Sequence, residues 1–158
     1  LKQAAVEPAA FRERVEHRTP PNSLDAVVAG AYAAYQEALR AAGVYDVPGL
    51  YWEADLVCRS GRPPLLDGID VLLLDAFDDF TPSEFQLLTS LAPYLELLVF
   101  GINCDTHPDR QNVYAVPWRT SQRIREHWGA DFEAFEEPPP ETQAEFAARH
   151  IFWRDRPP

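Results

Sequence analysis

Residues 71 to 81 read Val-Leu-Leu-Leu-Asp-Ala-Phe-Asp-Asp-Phe-Thr, four apolar side chains running straight into an acidic cluster. A short apolar run bounded by polar loop is the pattern of a buried strand. A sheet strand that ends on a carboxylate is also the layout of a Walker B element, where that carboxylate reaches a nucleotide-bound magnesium at the strand's carboxyl end. Asp75 is the candidate ligand because it directly ends the strand. The next position departs from a hydrolytic site, which carries a second carboxylate to orient water; Ala76 can neither accept a proton nor hold a water. Asp78 and Asp79 extend the cluster, and three acids in close quarters repel one another, so a metal or solvent is expected beside them. Two readings stand side by side: a nucleotide or magnesium site, and a solvated strand end that leads into a helix cap.

The flanking sequence places this strand in an α/β frame. Thr81-Pro82-Ser83-Glu84 predicts a helix start, with Thr81 as the cap, Pro82 in the first helical position and Glu84 reaching back to complete a capping box. The helix runs to about Leu91, Pro93 ends it, and residues 95 to 101 read as a second buried strand. Strand, helix and strand within about 30 residues predict one right-handed βαβ unit with a parallel pair. Upstream, a short helix is expected over 8 to 17. A long one follows, with Asn22 as its cap, Asp25 in its first turn and Gly43 as its terminator. Leu24, Val27, Val28, Ala31, Tyr35, Ala38, Leu39 and Ala42 fall on one stripe of that helix, which is expected to face the core. Further helices are expected over 49 to 58, 117 to 128 and 141 to 153, a strand over 129 to 135, and a stiff connector at the proline run 136 to 140.

Composition removes several classes of function. A net charge of −11 opposes autonomous binding to nucleic acid, because affinity for phosphate backbones comes from clustered Lys and Arg. Lys2 is the sole lysine, so the chain holds no phosphate-cradling glycine-lysine loop and no nuclease centre of the kind that needs an E-x-K pair. Cys58 and Cys104 fit no disulfide framework, and Cys104, Asp105 and His107 lack the second cluster that would complete a tetrahedral zinc set. No apolar run approaches the ~20 residues that span a bilayer, and no charged leader precedes an apolar stretch, so a cytoplasmic location without membrane contact is expected. The absence of Met and the start at Leu-Lys-Gln lead to the expectation that the chain is a piece of a longer protein.

Taken together, these segments resemble part of a superfamily 1 DNA helicase of the UvrD/Rep type, and more closely its degenerate relatives, the AddB-type subunits of helicase-nucleases. Tyr32-Ala33-Ala34-Tyr35-Gln36-Glu37-Ala38-Leu39 followed by Asp46 is similar to the stretch that precedes motif II in those enzymes, and Asp75-Ala76-Phe77-Asp78-Asp79 stands where they carry Asp-Glu-Phe-Gln-Asp. Phe77-Asp78-Asp79-Phe80-Thr81-Pro82 carries the closest likeness, since the AddB-like branch commonly has a small residue after the aspartate and continues Phe-x-x-Phe-Thr-Pro. Gln111 corresponds to the motif III glutamine that senses phosphate, or is simply a polar loop residue. The resemblance covers about residues 24 to 153. It implies a helical inserted subdomain over 1–64 and, over 65–158, a partial RecA-like core of the P-loop NTPase type, a parallel sheet with flanking helices and a C-terminal helix. It further implies a non-hydrolytic part in DNA break processing and recombinational repair. ATP and magnesium would be held only by the intact parent, DNA would be met only through that parent, and an active helicase-nuclease subunit would be the partner. An acidic protein-interaction scaffold that never meets nucleotide is the alternative.

Overall fold

A computed structural model of the chain describes residues 1–20, 22–104, 112–134 and 141–144. The described elements are α1 (Pro8–Glu16), α2 (Ser23–Ala42), α3 (Val47–Ser60), β1 (Val71–Leu74), α4 (Pro82–Leu91), β2 (Leu97–Phe100) and α5 (Ala115–Trp128), with 3-10 turns at Pro64–Leu66 and Ala92–Tyr94. This is an α/β chain whose two strands pair in parallel. Leu97 N donates to Asp70 O at 3.1 Å and Gly101 N to Leu74 O at 2.7 Å. The same sequence offset separates both pairs, which only parallel strands allow. Helix boundaries follow local chemistry. Asn22 Oδ1 accepts from Leu24 N and opens α2, Gly43 closes it in the left-handed region, and Asp46 Oδ1 accepts from Gly49 N to open α3. Among the described residues no helix is long and apolar enough to cross a membrane.

The chain divides into two compact units, one of residues Leu1–Leu72 with Phe80–Leu98 and one of Leu73–Asp79 with Val99–Pro158. Within the first unit α4 packs against α3. In that unit Cys58, Phe80, Phe85 and Leu88 are buried. Asp55 is buried too, and accepts from Gln86 Nε2 at 2.8 Å and Ser90 Oγ at 2.6 Å while pairing with Arg59 at 3.0 Å. A buried carboxylate with three partners ties α3 to α4 in one register, since slipping either helix would strand its charge. Burial, reinforced by the neighbouring Asp55 charge, pushes the Cys58 thiol pKa up, leaving a structural rather than a reactive cysteine. In the second unit Ile124, Thr120 and Ser121 form the buried face of α5, and Trp128 stacks on Phe100 with ring centroids 5.5 Å apart.

An N-terminal strap organises the first unit. Lys2 Nζ pairs with Asp46, and lies 5.9 Å from the Tyr35 ring centroid and 5.7 Å from that of Trp52. Three of the strap's carbonyls are taken up by the helices: Trp52 Nε1 donates to Lys2 O, Ser83 N and Oγ to Gln3 O, and the Tyr32 hydroxyl to Val6 O. One six-residue segment therefore touches α2, α3 and α4. Gly49 makes room for it, because a Cβ there would lie 2.7 Å from Asp46 Oδ1 and 2.8 Å from Lys2 Nζ.

Several expectations need correction. The α2 stripe read as core-facing is largely solvent-facing: Leu24, Val27, Val28, Ala31, Tyr35, Ala38 and Ala42 are exposed, and only Leu39 is half-buried. Helix α2 instead turns Ala29 and Gln36 inward, because the Tyr32 bond to the strap and the packing on α1 fix its rotation. Nor is β1 buried on both faces; Val71 and Leu73 are 53% and 65% exposed, since a two-stranded sheet offers little cover. Residues 129–134 form no strand, because Gly129 terminates α5 in the left-handed region and Arg125 stacks over Phe132, 5.0 Å from its ring centroid. The expected connector over 136 to 140 lies outside the described residues, as do Phe135 and all but the first four positions of the helix expected over 141 to 153.

Burial alone would raise the Asp46 pKa, but the bonds from Lys2, the Tyr35 hydroxyl and Gly49 N outweigh it and hold the carboxyl below its usual range. A depressed carboxyl pKa stabilises the fold above the unfolded value of about 3.9, and the contribution is lost as pH falls through the folded value. Asp46→Asn is expected to lower stability at neutral pH and to flatten the loss below about pH 4. Urea unfolding of both proteins across that range checks this; parallel curves would contradict it.

Candidate functional site at the carboxyl end of the first strand

Asp75 leaves β1 at its carboxyl end and is exposed. Its Oδ1 accepts from the next residue's amide, Ala76 N, at 2.9 Å, closing a tight local turn. Ala76 sits at φ 60°, in the left-handed region that costs a Cβ-bearing residue about 1–2 kcal/mol. The turn therefore suits a small side chain.

The ends of the two strands meet. Gly101, the residue after β2, has no side chain where Asp75 lies; a Cβ there would collide with Asp75 Oδ1 and come within 3.3 Å of its Cγ and 3.5 Å of its Cα. Gly101 N also donates to Leu74 O. Asp75 and the loop that begins at Gly101 thus share one edge, the carboxyl end of a parallel pair, which is where open α/β sheets bind ligands.

The remaining predicted residues divide between other tasks. Asp78 is exposed, and Asp79 Oδ1 accepts from the buried Thr120 hydroxyl at 3.1 Å, so Asp79 helps to seat α5. Thr81 and Glu84 belong to the first unit and complete the capping box of α4: Glu84 N donates to Thr81 Oγ1 at 3.3 Å and Thr81 N to Glu84 Oε2 at 2.8 Å. Burial, then the hydrogen bond to Glu84, raises the Tyr51 pKa, so that phenol stays protonated and donates. Gln111 lies outside the described residues, with Asp105 and His107. Among the described residues no three His, Cys, Asp or Glu side chains converge as a metal site would require. Among the described residues Asp75 stands at the carboxyl end of the strand pair, and the next position, Ala76, carries no carboxylate.

A second polar site escaped the sequence reading. Beneath the strap, Lys2, Gln36, Arg40, Gly49 and Trp52 line a cavity of about 50 Å³. Gln36 leans on Tyr32 closely enough to oppose the burial-driven rise of that phenol's pKa, yet its buried Nε2 has no acceptor at hydrogen-bonding geometry. The space suits a water or two, each needing about 30 Å³, and not a nucleotide, whose pockets run to several hundred. The one available signal was the solitary lysine.

No protein-family model, no curated protein and no solved structure matches the chain.

Gly101→Ala is expected to destabilise the protein by about 1–3 kcal/mol through overpacking. With Asp75→Ala in the same chain the penalty should shrink, because the obstructing carboxylate is gone. A double-mutant cycle from urea unfolding measures the coupling; additive penalties would show that the two residues are not in contact.

Proposed function

We propose that this chain is a helicase-like segment of the AddB type that acts in DNA break processing and recombinational repair without hydrolysing nucleotide. The observation that carries this reading is the placement of Asp75 against Gly101 at the carboxyl edge of a parallel strand pair. Support also comes from the order of parts, since strand, acid, tight turn at Ala76, capped helix and second parallel strand follow one another as in the RecA-like core of a P-loop NTPase. In this reading Asp75 holds nucleotide-bound magnesium in the intact parent, with Gln111 near the phosphates, and Ala76 leaves water unactivated. The compartment is cytoplasmic. An active helicase-nuclease subunit supplies the turnover, and DNA is met through the assembled parent rather than by this acidic surface.

A second reading, an acidic scaffold that binds protein and never nucleotide, is favoured by a different observation, the exposed and uncharged outer face of α2.

ATP turnover by the chain is expected to equal that of Asp75→Ala, and Ala76→Glu should not raise it, because no phosphate-cradling loop positions the nucleotide. A steady-state phosphate-release assay on the three proteins decides the matter. Turnover above the Asp75→Ala control would overturn the non-hydrolytic reading. Submicromolar binding of duplex DNA at physiological salt would overturn the claim that DNA is met only through the parent.

A further inference from the structure

The outer face of α2 carries no charge along nearly its whole length. Leu24, Val28, Ala31, Tyr35, Ala38 and Ala42 recur at alternating spacings of four and three, and every one is exposed. Val27, Ala34 and Ala41 widen the stripe and are exposed as well. An ordinary surface helix puts its charged residues on this side, and a chain with 25% charged residues has plenty to place there. Alternating four-and-three spacing is the seam of a paired helix.

The order of side-chain sizes along the seam identifies its occupant. Along the seam the residues run Leu24, Val28, Ala31, Tyr35, Ala38, Ala42. In an antiparallel pair of α2 helices related by a two-fold axis, Leu24 faces Ala42, Val28 faces Ala38 and Ala31 faces Tyr35, a larger residue against a small one in each layer, with Tyr35 46% exposed while its hydroxyl is held by Asp46. A parallel pair would instead set Leu24 on Leu24 and Tyr35 on Tyr35 while leaving gaps between the alanines, which close packing disfavours. The helix dipoles also oppose in the antiparallel arrangement.

We propose that α2 is the interface of a two-fold antiparallel dimer of this chain. The proposal does not depend on the nucleotide reading. The seam is about 27 Å long at 1.5 Å per residue. It would bury on the order of 500 Å² per copy, near the lower limit of about 1,000 Å² in total for a specific interface, which points to micromolar association. The charge of −11 on each copy opposes the encounter but lies off the seam, so salt should tighten the dimer by screening.

Sedimentation velocity of the chain from about 5 to about 200 µM is expected to show a monomer–dimer equilibrium that strengthens with added salt. Ala31→Glu, which places two like charges beside the axis, should raise the dissociation constant at least about tenfold. Ala26→Glu, the same change off the seam, should leave it unaltered, with circular dichroism confirming equal helicity in both. For register, in a Cys104→Ser background, chains carrying Leu24→Cys mixed with chains carrying Ala42→Cys should form disulfide-linked dimers, and neither should do so alone. A chain monomeric throughout, equal effects of Ala26→Glu and Ala31→Glu, or self-linking of Leu24→Cys as fast as the mixture would each overturn the proposal.

Discussion

The ion pair between Lys2 and Asp46 is the contact on which the first unit turns. It fixes one end of a six-residue strap whose carbonyls are taken up by Trp52 of α3, Ser83 of α4 and Tyr32 of α2. Without the strap, α2 would keep its packing on α1 but lose the Tyr32 bond that sets its rotation, and α3 and α4 would keep the Asp55 network but lose their link to α2. Asp46 does double service, since the Oδ1 that meets Lys2 also caps α3 through Gly49 N. A single carboxylate thus joins a helix start, a lysine and the Tyr35 hydroxyl, and its depressed pKa is the electrostatic trace of that convergence.

The rotation of α2 that the strap imposes has a consequence for surface chemistry. Tyr32, Ala29 and Gln36 turn inward, so the seam from Leu24 to Ala42 faces outward without a charge to solvate it. At the carboxyl end of β1 the balance is reversed: acidic groups gather in the open, and their backbone is held by Gly101 on one side and the Thr120 bond to Asp79 on the other. Ala76 follows in the left-handed region and brings no carboxylate to the turn; the proposed non-hydrolytic reading rests on that position.

Elements governed by local chemistry were legible in the sequence. The Thr81-Pro82-Ser83-Glu84 cap, Asn22 and Gly43 at the ends of α2, and the parallel pair around Asp75 all depend on residues within a few positions, or on a short apolar run bounded by turns. What the sequence hid depends on partners distant in the chain. Periodicity showed that α2 has an apolar stripe but not that another face, bearing a buried glutamine, packs inward, because amphipathic spacing says nothing about which neighbour arrives. Likewise the run Val71 to Leu74 looked fully buried, though exposure of Val71 and Leu73 depends on what lies over the sheet. Asp75 stands at the strand end where the sequence put it, and Thr81 and Glu84 form the helix cap that their spacing predicted. The cluster of Lys2, Tyr35, Asp46 and Trp52 was missed because its members are spread over 50 residues.

Native-state amide hydrogen exchange of Lys2→Met beside the unaltered chain tests the role of the strap most directly. The substitution keeps an apolar stem and removes only the ammonium. If the strap organises the first unit, the amides of Gly49 and Ser83, whose acceptors are Asp46 Oδ1 and Gln3 O, should lose protection together, while Gly101 and the amides within α5 in the second unit keep theirs. Unchanged protection at Gly49 and Ser83, or an equal loss across both units, would contradict it.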